Sequence, residues 1–387
     1  MIEKEIKYCY NDLTVVPEVI SDISSRSECN PFENDMLPIF ASPMSTIVND
    51  KNLNIWKSNY ITPIIPRNIN YYDRINYCNN NEWVAFSLSE FKRLFIDEVK
   101  QNNAIYVNKK FKVCIDLANG HMRSLYESIN EAKELANKYN YKLTIMTGNI
   151  ANPETYKWIC ENAVVDYIRI SIGTGNNCLT ATQTSTYYPI ASLIYECYNI
   201  KKSIIDNINN YKSCPFIIAD GGVRGYADII KALGLGADYV MVGSLFTGLL
   251  ESAAPLDIEC YNSHYKYVFK DDGTVNNGII DILNIWNNCN EDTKRTFLRD
   301  MKSVIKESYG MSTKKAQKLI NPSSKTKTSE GCTKYITVKE TIHQWTDNMI
   351  AYLRSAMSYT NKKTIFEFKG NVNFVINSAY SIASINK

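Results

Sequence analysis

The sequence predicts an α/β fold, a (β/α)8 TIM barrel with a flap and a C-terminal helical segment. Three observations carry that prediction. Eight short apolar runs recur along the chain, each bounded by turn or charged residues. Apolar residues at helical spacing fill several of the gaps between them. Polar and glycine-rich residues gather at the C-terminal ends of six of the runs. Strands buried on both faces read as continuous apolar runs, and strand–helix alternation builds a parallel sheet. An open doubly wound sheet is the structural alternative. It usually carries a dinucleotide fingerprint after its first strand, and none stands here.

Residues 1–36 are polar and irregular, with Tyr10–Thr14 and Ser24–Ser27 as the patterned pieces. The apolar runs follow: Leu37–Ala41, Tyr60–Ile65, Trp83–Ser87, Phe111–Asp116, Lys142–Met146, Val164–Ile170, Pro215–Asp220 and Asp238–Val242. Met122 to Tyr139 predicts a helix with Leu125, Ile129, Ala132 and Leu135 on one side. Pro153 opens a shorter helix, at a position where its missing N–H costs nothing. Tyr187–Ile208 and Tyr226–Leu235 predict two more. After Glu251 the pattern changes. Lys270-Asp271-Asp272-Gly273 resembles a hairpin turn. Residues 318–334 are polar, lysine-rich and without apolar periodicity, which predicts a mobile loop over the barrel mouth. Thr341–Met357 returns to helical spacing and is expected outside the barrel. No long linker divides the chain, so residues 1–387 are expected to form one barrel domain.

Composition narrows the function. The chain has 387 residues, 45% hydrophobic and 21% charged, as in a soluble globular protein. A net charge of +3 argues for neither nucleic acid nor membrane as partner. The 11 cysteines are scattered, which points to a reducing, cytoplasmic setting rather than a disulfide scaffold. With 3 histidines, a multi-histidine metal site is not expected. The N-terminus shows no signal peptide, and no apolar run approaches the ~20 residues that span a bilayer.

In a barrel, chemistry sits at the C-terminal strand ends. Those ends carry Ser42-Pro43-Met44, Asp116 to Gly120, Gly148-Asn149, the loop after Ile170, Asp220-Gly221-Gly222 and Gly243-Ser244. The loop SIGTGNNCLTATQTSTYYP, residues 171–189, places Cys178 beyond two glycines, Gly173 and Gly175. Glycine lets backbone amides approach an anion, and a thiol there suits a nucleophile. A cysteine buried incidentally in a glycine turn is the other reading of that loop alone. Amides at Gly222 and Gly243, with the Ser244 hydroxyl, can donate to a phosphate, and Asp220 suits a pair of ribose hydroxyls. Either glycine pair by itself can be a tight turn; two on neighbouring strand ends favour phosphate.

The order of these pieces resembles the IMP dehydrogenase and GMP reductase family. The Cys178 loop is similar to that family's nucleophile loop, GxGxxCxT, and IADGGVRGYADIIKALGLGADYVMVGSLFTG to its phosphate-binding strand pair. LPIFASPMST, IDLANGH, MTGNIANPETY and YGMSTKKAQ fit further blocks in the same order, so the resemblance runs from about Tyr10 to Tyr359. It implies a TIM barrel, usually a homotetramer, acting on a purine nucleoside monophosphate. It implies that Cys178 attacks or faces purine C2, with Thr180 beside it. Asp220, Gly221, Gly222, Gly243 and Ser244 would hold ribose and phosphate. Ser42, Met44, Tyr309, Gly310 and Met311 would line the nucleotide site. Asp116, Asn149 and Arg169 would lie near a nicotinamide cofactor. The carbonyls of Gly173, Gly175 and Cys178 match those that hold potassium in many dehydrogenases.

Within the family, a dehydrogenase hydrolyses the adduct and needs a base for water, which the family supplies as an Arg-Tyr pair on the flap. Here the flap, residues 308–341, reads STKKAQKLINPSSKTKTS between Met311 and Glu330, with no arginine. Glu330 matches the reductase glutamate that works with a threonine on departing ammonia, so Thr180 and Glu330 would be the dyad. The regulatory insertion of CBS type carried by many dehydrogenases is absent between Arg67 and Trp83. The resemblance therefore implies NADPH-dependent reduction of GMP to IMP and ammonia. IMP dehydrogenase with NAD and an atypical flap, or a non-catalytic purine-nucleotide binder, are the alternatives. Asn176, Ser171 and Ala181 depart from the family pattern, and Arg67 stands near where reductases tend to have lysine.

Overall fold

The computed structural model describes residues 5–207, 214–260, 267–268, 301–320, 328–379, 381 and 383. All eight apolar runs form strands: β1 (Ile39–Ala41), β2 (Thr62–Pro63), β3 (Trp83–Phe86), β4 (Lys110–Ile115), β5 (Lys142–Ile150), β6 (Tyr167–Ile170), β7 (Phe216–Asp220) and β8 (Tyr239–Val242). They pair in parallel in the order β2-β1-β8-β7-β6-β5-β4-β3. The ring closes between β2 and β3 through a parallel bridge of Ile65 and Val84. There Ile65 N donates to Trp83 O at 2.9 Å and Ala85 N to Ile65 O at 2.8 Å.

Closure explains why the runs are apolar throughout. Side chains alternate across a strand, so each run feeds two cores. Phe40, Ile64, Trp83, Ala85, Cys114, Met146, Ile218 and Met241 fill the barrel. Ile39, Ala41, Val84, Phe86, Val113, Ile145, Ile168, Ile170 and Val240 face the surrounding helices. Each fully buried Val or Ile contributes roughly 1.5–3 kcal/mol, so neither face tolerates polar alternation. Trp83 meets Phe40 at 5.9 Å and Tyr167 at 5.3 Å edge to face, and Tyr239 meets Phe40 at 5.4 Å. Trp83, Tyr167 and Tyr239 begin their strands, so these rings fill the N-terminal end and leave the opposite end for a site.

The predicted helices are present as Arg123–Lys138, Pro153–Asn162, Ile190–Asn207 and Tyr226–Gly234. Asn152 caps the second, its side chain accepting from Glu154 N at 2.9 Å, with Pro153 in the first turn. Ile342–Tyr359 starts from a capping box of Thr341 and Gln344. It packs outside the barrel as expected, Trp345 stacking on Tyr226 at 5.4 Å and meeting Phe246 at 4.7 Å. Among the described residues, no helix is long and apolar enough to cross a membrane.

Beyond β8 the sequence expectation was incomplete. Strands β9 (Leu256–Cys260), β10 (Tyr267–Val268), β11 (Met301–Tyr309) and β12 (Thr333–Thr337) form an antiparallel sheet in the order β10-β9-β11-β12. A short helix, Lys314–Ile320, follows β11. The segment 318–334, expected as a loop, thus begins in that helix and ends in β12. Four of the five β12 side chains are exposed, so no apolar alternation announces the strand; backbone pairing from Ile305–Thr337 to Tyr309–Thr333 makes it. The hairpin turn expected at Lys270–Gly273 lies outside the described residues.

Candidate active site

The C-terminal ends of the strands enclose a cleft of about 390 Å³, within the roughly 300–1,000 Å³ typical of small-molecule sites. Every residue given a site role from the sequence lines it except Tyr309 and Gly173.

The nucleophile loop is built by backbone geometry. Ser171, directly after β6, has φ +114°, and Gly173 has φ +77°. A Cβ at Gly173 would lie 2.7 Å from the Ala181 side chain and 2.8 Å from its backbone nitrogen, so only glycine lets the loop fold back on itself. Cys178 N then donates to Gly175 O at 2.9 Å. The Cys178 thiol donates to Thr180 Oγ1 at 3.2 Å, and that hydroxyl donates to Glu330 Oε2 at 2.7 Å. Glu330 reaches the loop by backbone pairing: Leu179 N donates to Glu330 O at 2.7 Å, and Cys178 bridges Gly331 in antiparallel fashion. Residues 150 positions apart therefore form one continuous proton path from sulfur to carboxylate.

The two glycine turns lie beside this loop. Gly221 has φ +100° and Gly222 φ +74°. A Cβ at Gly221 would stand 2.6 Å from Thr174 Oγ1 and 3.3 Å from Gly175 N. The β7 turn thus presses directly on the nucleophile loop. At Gly243 a Cβ would lie 3.4 Å from Met44 Sδ and 3.6 Å from Ser42 Oγ, which puts the β8 turn against the β1 end.

Charge is organised around Arg169, a buried arginine inside β6. Nη1 donates to Asp116 Oδ1 at 3.0 Å, and Nε donates to Asp220 Oδ2 at 2.8 Å. Asn149 Nδ2 adds a third polar contact, to Asp220 Oδ2 at 2.7 Å. Burial works to lower the guanidinium's pKa; Asp220 above all, with Cys114 and Asp116, outweighs it and raises it. Arg169 holds the ends of β4 and β7 in fixed relation.

One expectation is corrected. Tyr309 does not line the cleft. It is buried behind Gly310 and Met311, accepting a hydrogen bond from Ser45 Oγ at 3.2 Å, and burial raises its pKa. Among the described residues, no group of three or more His, Cys, Asp or Glu can hold a metal ion. On the same loop, Lys334 Nζ donates to the Asn176 carbonyl at 2.8 Å.

Other lining residues escaped the sequence. Arg67 stands in the wall, with Nη1 reaching Asp116 O at 3.4 Å and a buried Nε that has no hydrogen-bond partner. Asn177, 4% exposed, lines the cleft beside the thiol. Val223, Ser312 and Ile320 complete the missed set. The departure noted at Arg67 was the one available signal.

Comparison with known proteins agrees with this geometry. Residues 95–276 match the family model described as IMP dehydrogenase / GMP reductase domain. A GMP reductase of Caenorhabditis elegans is 25% identical over 397 residues, covering 97% of this chain and 93% of that protein. A GMP reductase of Helicobacter pylori is 27% identical, covering 67% of this chain and 76% of its own length. An IMP dehydrogenase of Halalkalibacterium halodurans is 27% identical, covering 68% of this chain and 44% of that protein. Residues 95–276 are thus similar to an IMP dehydrogenase / GMP reductase domain, and the similarity leans toward the reductases.

Proposed function

We propose that the chain is a GMP reductase, converting GMP and NADPH with a proton to IMP, ammonia and NADP. The observation that carries this reading is the hydrogen-bonded line Cys178–Thr180–Glu330. The phosphate of GMP sits on the amides of Gly222 and Gly243 and the Ser244 hydroxyl, with the ribose at Asp220. That places purine C2 toward Cys178 Sγ.

The thiol proton moves to Thr180 as the threonine proton moves to Glu330. The sulfur then bonds to C2. The same proton returns through Thr180 to the 2-amino nitrogen, the C2–N bond breaks, and ammonia leaves. A nicotinamide dinucleotide held beside Asp116, Asn149 and Arg67 would supply the hydride that C2 needs; the Cys178 thiolate freed as the C–S bond breaks is then reprotonated. The cleft fits such a group. Asp116, Leu117, Ala118, Asn149 and the unpaired Arg67 Nε stand on the β2, β4 and β5 side, away from the phosphate turns of β7 and β8. NADPH rather than NADH, a cytoplasmic location, a homotetramer, a single barrel domain and a flap role for residues 308–341 are part of the proposal on sequence grounds. Potassium on the carbonyls of Gly173, Gly175 and Cys178 is part of the proposal on sequence grounds, and no step runs through it.

Mixing the protein with GMP and NADPH, or with IMP and NAD, and following absorbance of the reduced cofactor tests the reading. Turnover with GMP and NADPH is expected. Turnover only with IMP and NAD overturns it in favour of a dehydrogenase. GMP binding without hydride transfer in either direction makes the chain a nucleotide-binding relative.

A further inference from the structure

Asn177 precedes the nucleophile and has no part in the chemistry above, yet both sides of the flap converge on it. Its Nδ2 donates to Ser308 Oγ on β11 at 2.7 Å. Ser308 is wholly buried and gives its own proton toward Thr247 Oγ1 at 3.5 Å. A hydroxyl has one proton, so the Ser308 oxygen must accept from Asn177, and this fixes which way the amide points. The Asn177 carbonyl accepts from Cys332 N at 2.9 Å. Gly310 and Gly331 press on that carbonyl from two directions; a Cβ on either would lie 3.1 or 3.3 Å from it.

The partner strand is itself anchored. Lys306 Nζ, wholly buried on β11, donates to Leu250 O at 2.8 Å, Ser252 O at 2.7 Å and Ser252 Oγ at 2.9 Å. β11 is thus fixed to the loop after β8, and Asn177 fixes the nucleophile loop to β11. Glu330 lies on the segment that pairs with residues 177–179, so its reach to Thr180 depends on that alignment.

We infer that Asn177 is a positioning residue, a rivet between the nucleophile loop and β11 that presents Glu330 to Thr180. The catalytic consequence rests on the proposed reductase chemistry; the mechanical one does not. The test uses the full chain with Asn177→Ala, Ser308→Ala and the double variant. Two readouts are taken: steady-state kinetics with GMP and NADPH, and the rate of Cys178 alkylation by iodoacetamide without substrates, followed by mass spectrometry.

Misplacing a catalytic group by about 1 Å costs on the order of 100-fold. Each single variant is therefore expected to lose roughly 10- to 100-fold in kcat, with KM for GMP held within about twofold. The double variant should match the singles, because both remove one contact. Alkylation of Cys178 should accelerate about tenfold in all three as the loop loosens. Unchanged alkylation with unchanged kcat overturns the inference. So does a rise in KM alone, which makes Asn177 a substrate contact, or additive losses in the double variant. Should Asn177→Ala fail to fold, Ser308→Ala decides. Should the wild type lack turnover, the reductase reading fails and alkylation alone decides the rivet.

Discussion

Replacing Arg169 by methionine tests whether the site is built on one buried charge. Arg169 is 8% exposed, and its fork joins Asp116 and Asp220, whose side chains are 17% and 13% exposed. Methionine fills much of the volume and leaves two carboxylates without their cation. Breaking a buried pair by removing one partner costs about 3–5 kcal/mol. Both acids keep some contact with water, so the lower end, about 3 kcal/mol, is expected. An unfolding entropy near 2.1 cal/mol/K per residue over 387 residues gives about 0.8 kcal/mol/K, so Tm should fall by roughly 4 °C. Arg169→Lys keeps a charge but cannot offer a planar fork to two acids, so it should fall between wild type and Arg169→Met. The assay is thermal unfolding beside calorimetric titration with GMP, where loss of the Arg169 contacts to Asp220 should weaken affinity at least about tenfold, near 1.4 kcal/mol. A Tm within about 1 °C of wild type together with unaltered GMP affinity would refute the reasoning.

Other perturbations separate the remaining parts. Glu330→Gln and Thr180→Val should each lower kcat by about 10²–10⁴-fold, the usual worth of positioned proton transfer, while calorimetry shows GMP binding retained. Gly221→Ala forces a side chain onto φ +100° with a Cβ 2.6 Å from Thr174 Oγ1; KM for GMP should rise at least about tenfold as the turn shifts. Burial pulls the Lys306 ammonium down from the usual 10.5 to about 7. The folded chain then binds fewer protons than the unfolded one across that window, so this group makes stability rise with pH from about 7 to 10.5. Lys306→Met should flatten that rise, read by denaturant unfolding at several pH values on both proteins.

The barrel was legible because its strands face two cores and must be apolar at every position; Val84 and Ala85 point opposite ways and are both fully buried. Glycines at β7 and β8 were legible for the opposite reason: their turns need φ values that side chains disfavour. What the sequence hid was whatever depends on a distant partner. β12 has no inward face to pattern, so nothing local separates it from a loop. Asn177 occupied an unspecified position of the GxGxxCxT pattern, and its worth comes from Ser308, 131 residues away. Tyr309 was placed in the cleft beside Gly310 and Met311, but a strand alternates, and its ring turns the other way into Ser45.

Arg169 shows how fold and site depend on each other. Within Tyr167-Ile168-Arg169-Ile170 it is a charge in an otherwise apolar buried strand, and a buried arginine requires acidic partners. The acids are Asp116, just past β4, and Asp220, at the end of β7. β6 neighbours β7 directly but is separated from β4 by β5. A flat sheet would put β4 and β6 about 9.5 Å apart, twice the inter-strand spacing, whereas curvature turns the inward side chains of alternate strands toward one another. The Arg169–Asp116 contact at 3.0 Å is therefore a contact made across the barrel interior. A variant that splays the β4–β6 arc should release Asp116 and Asp220 together, so loss of GMP affinity and loss of barrel stability should appear as one event in the Arg169 series.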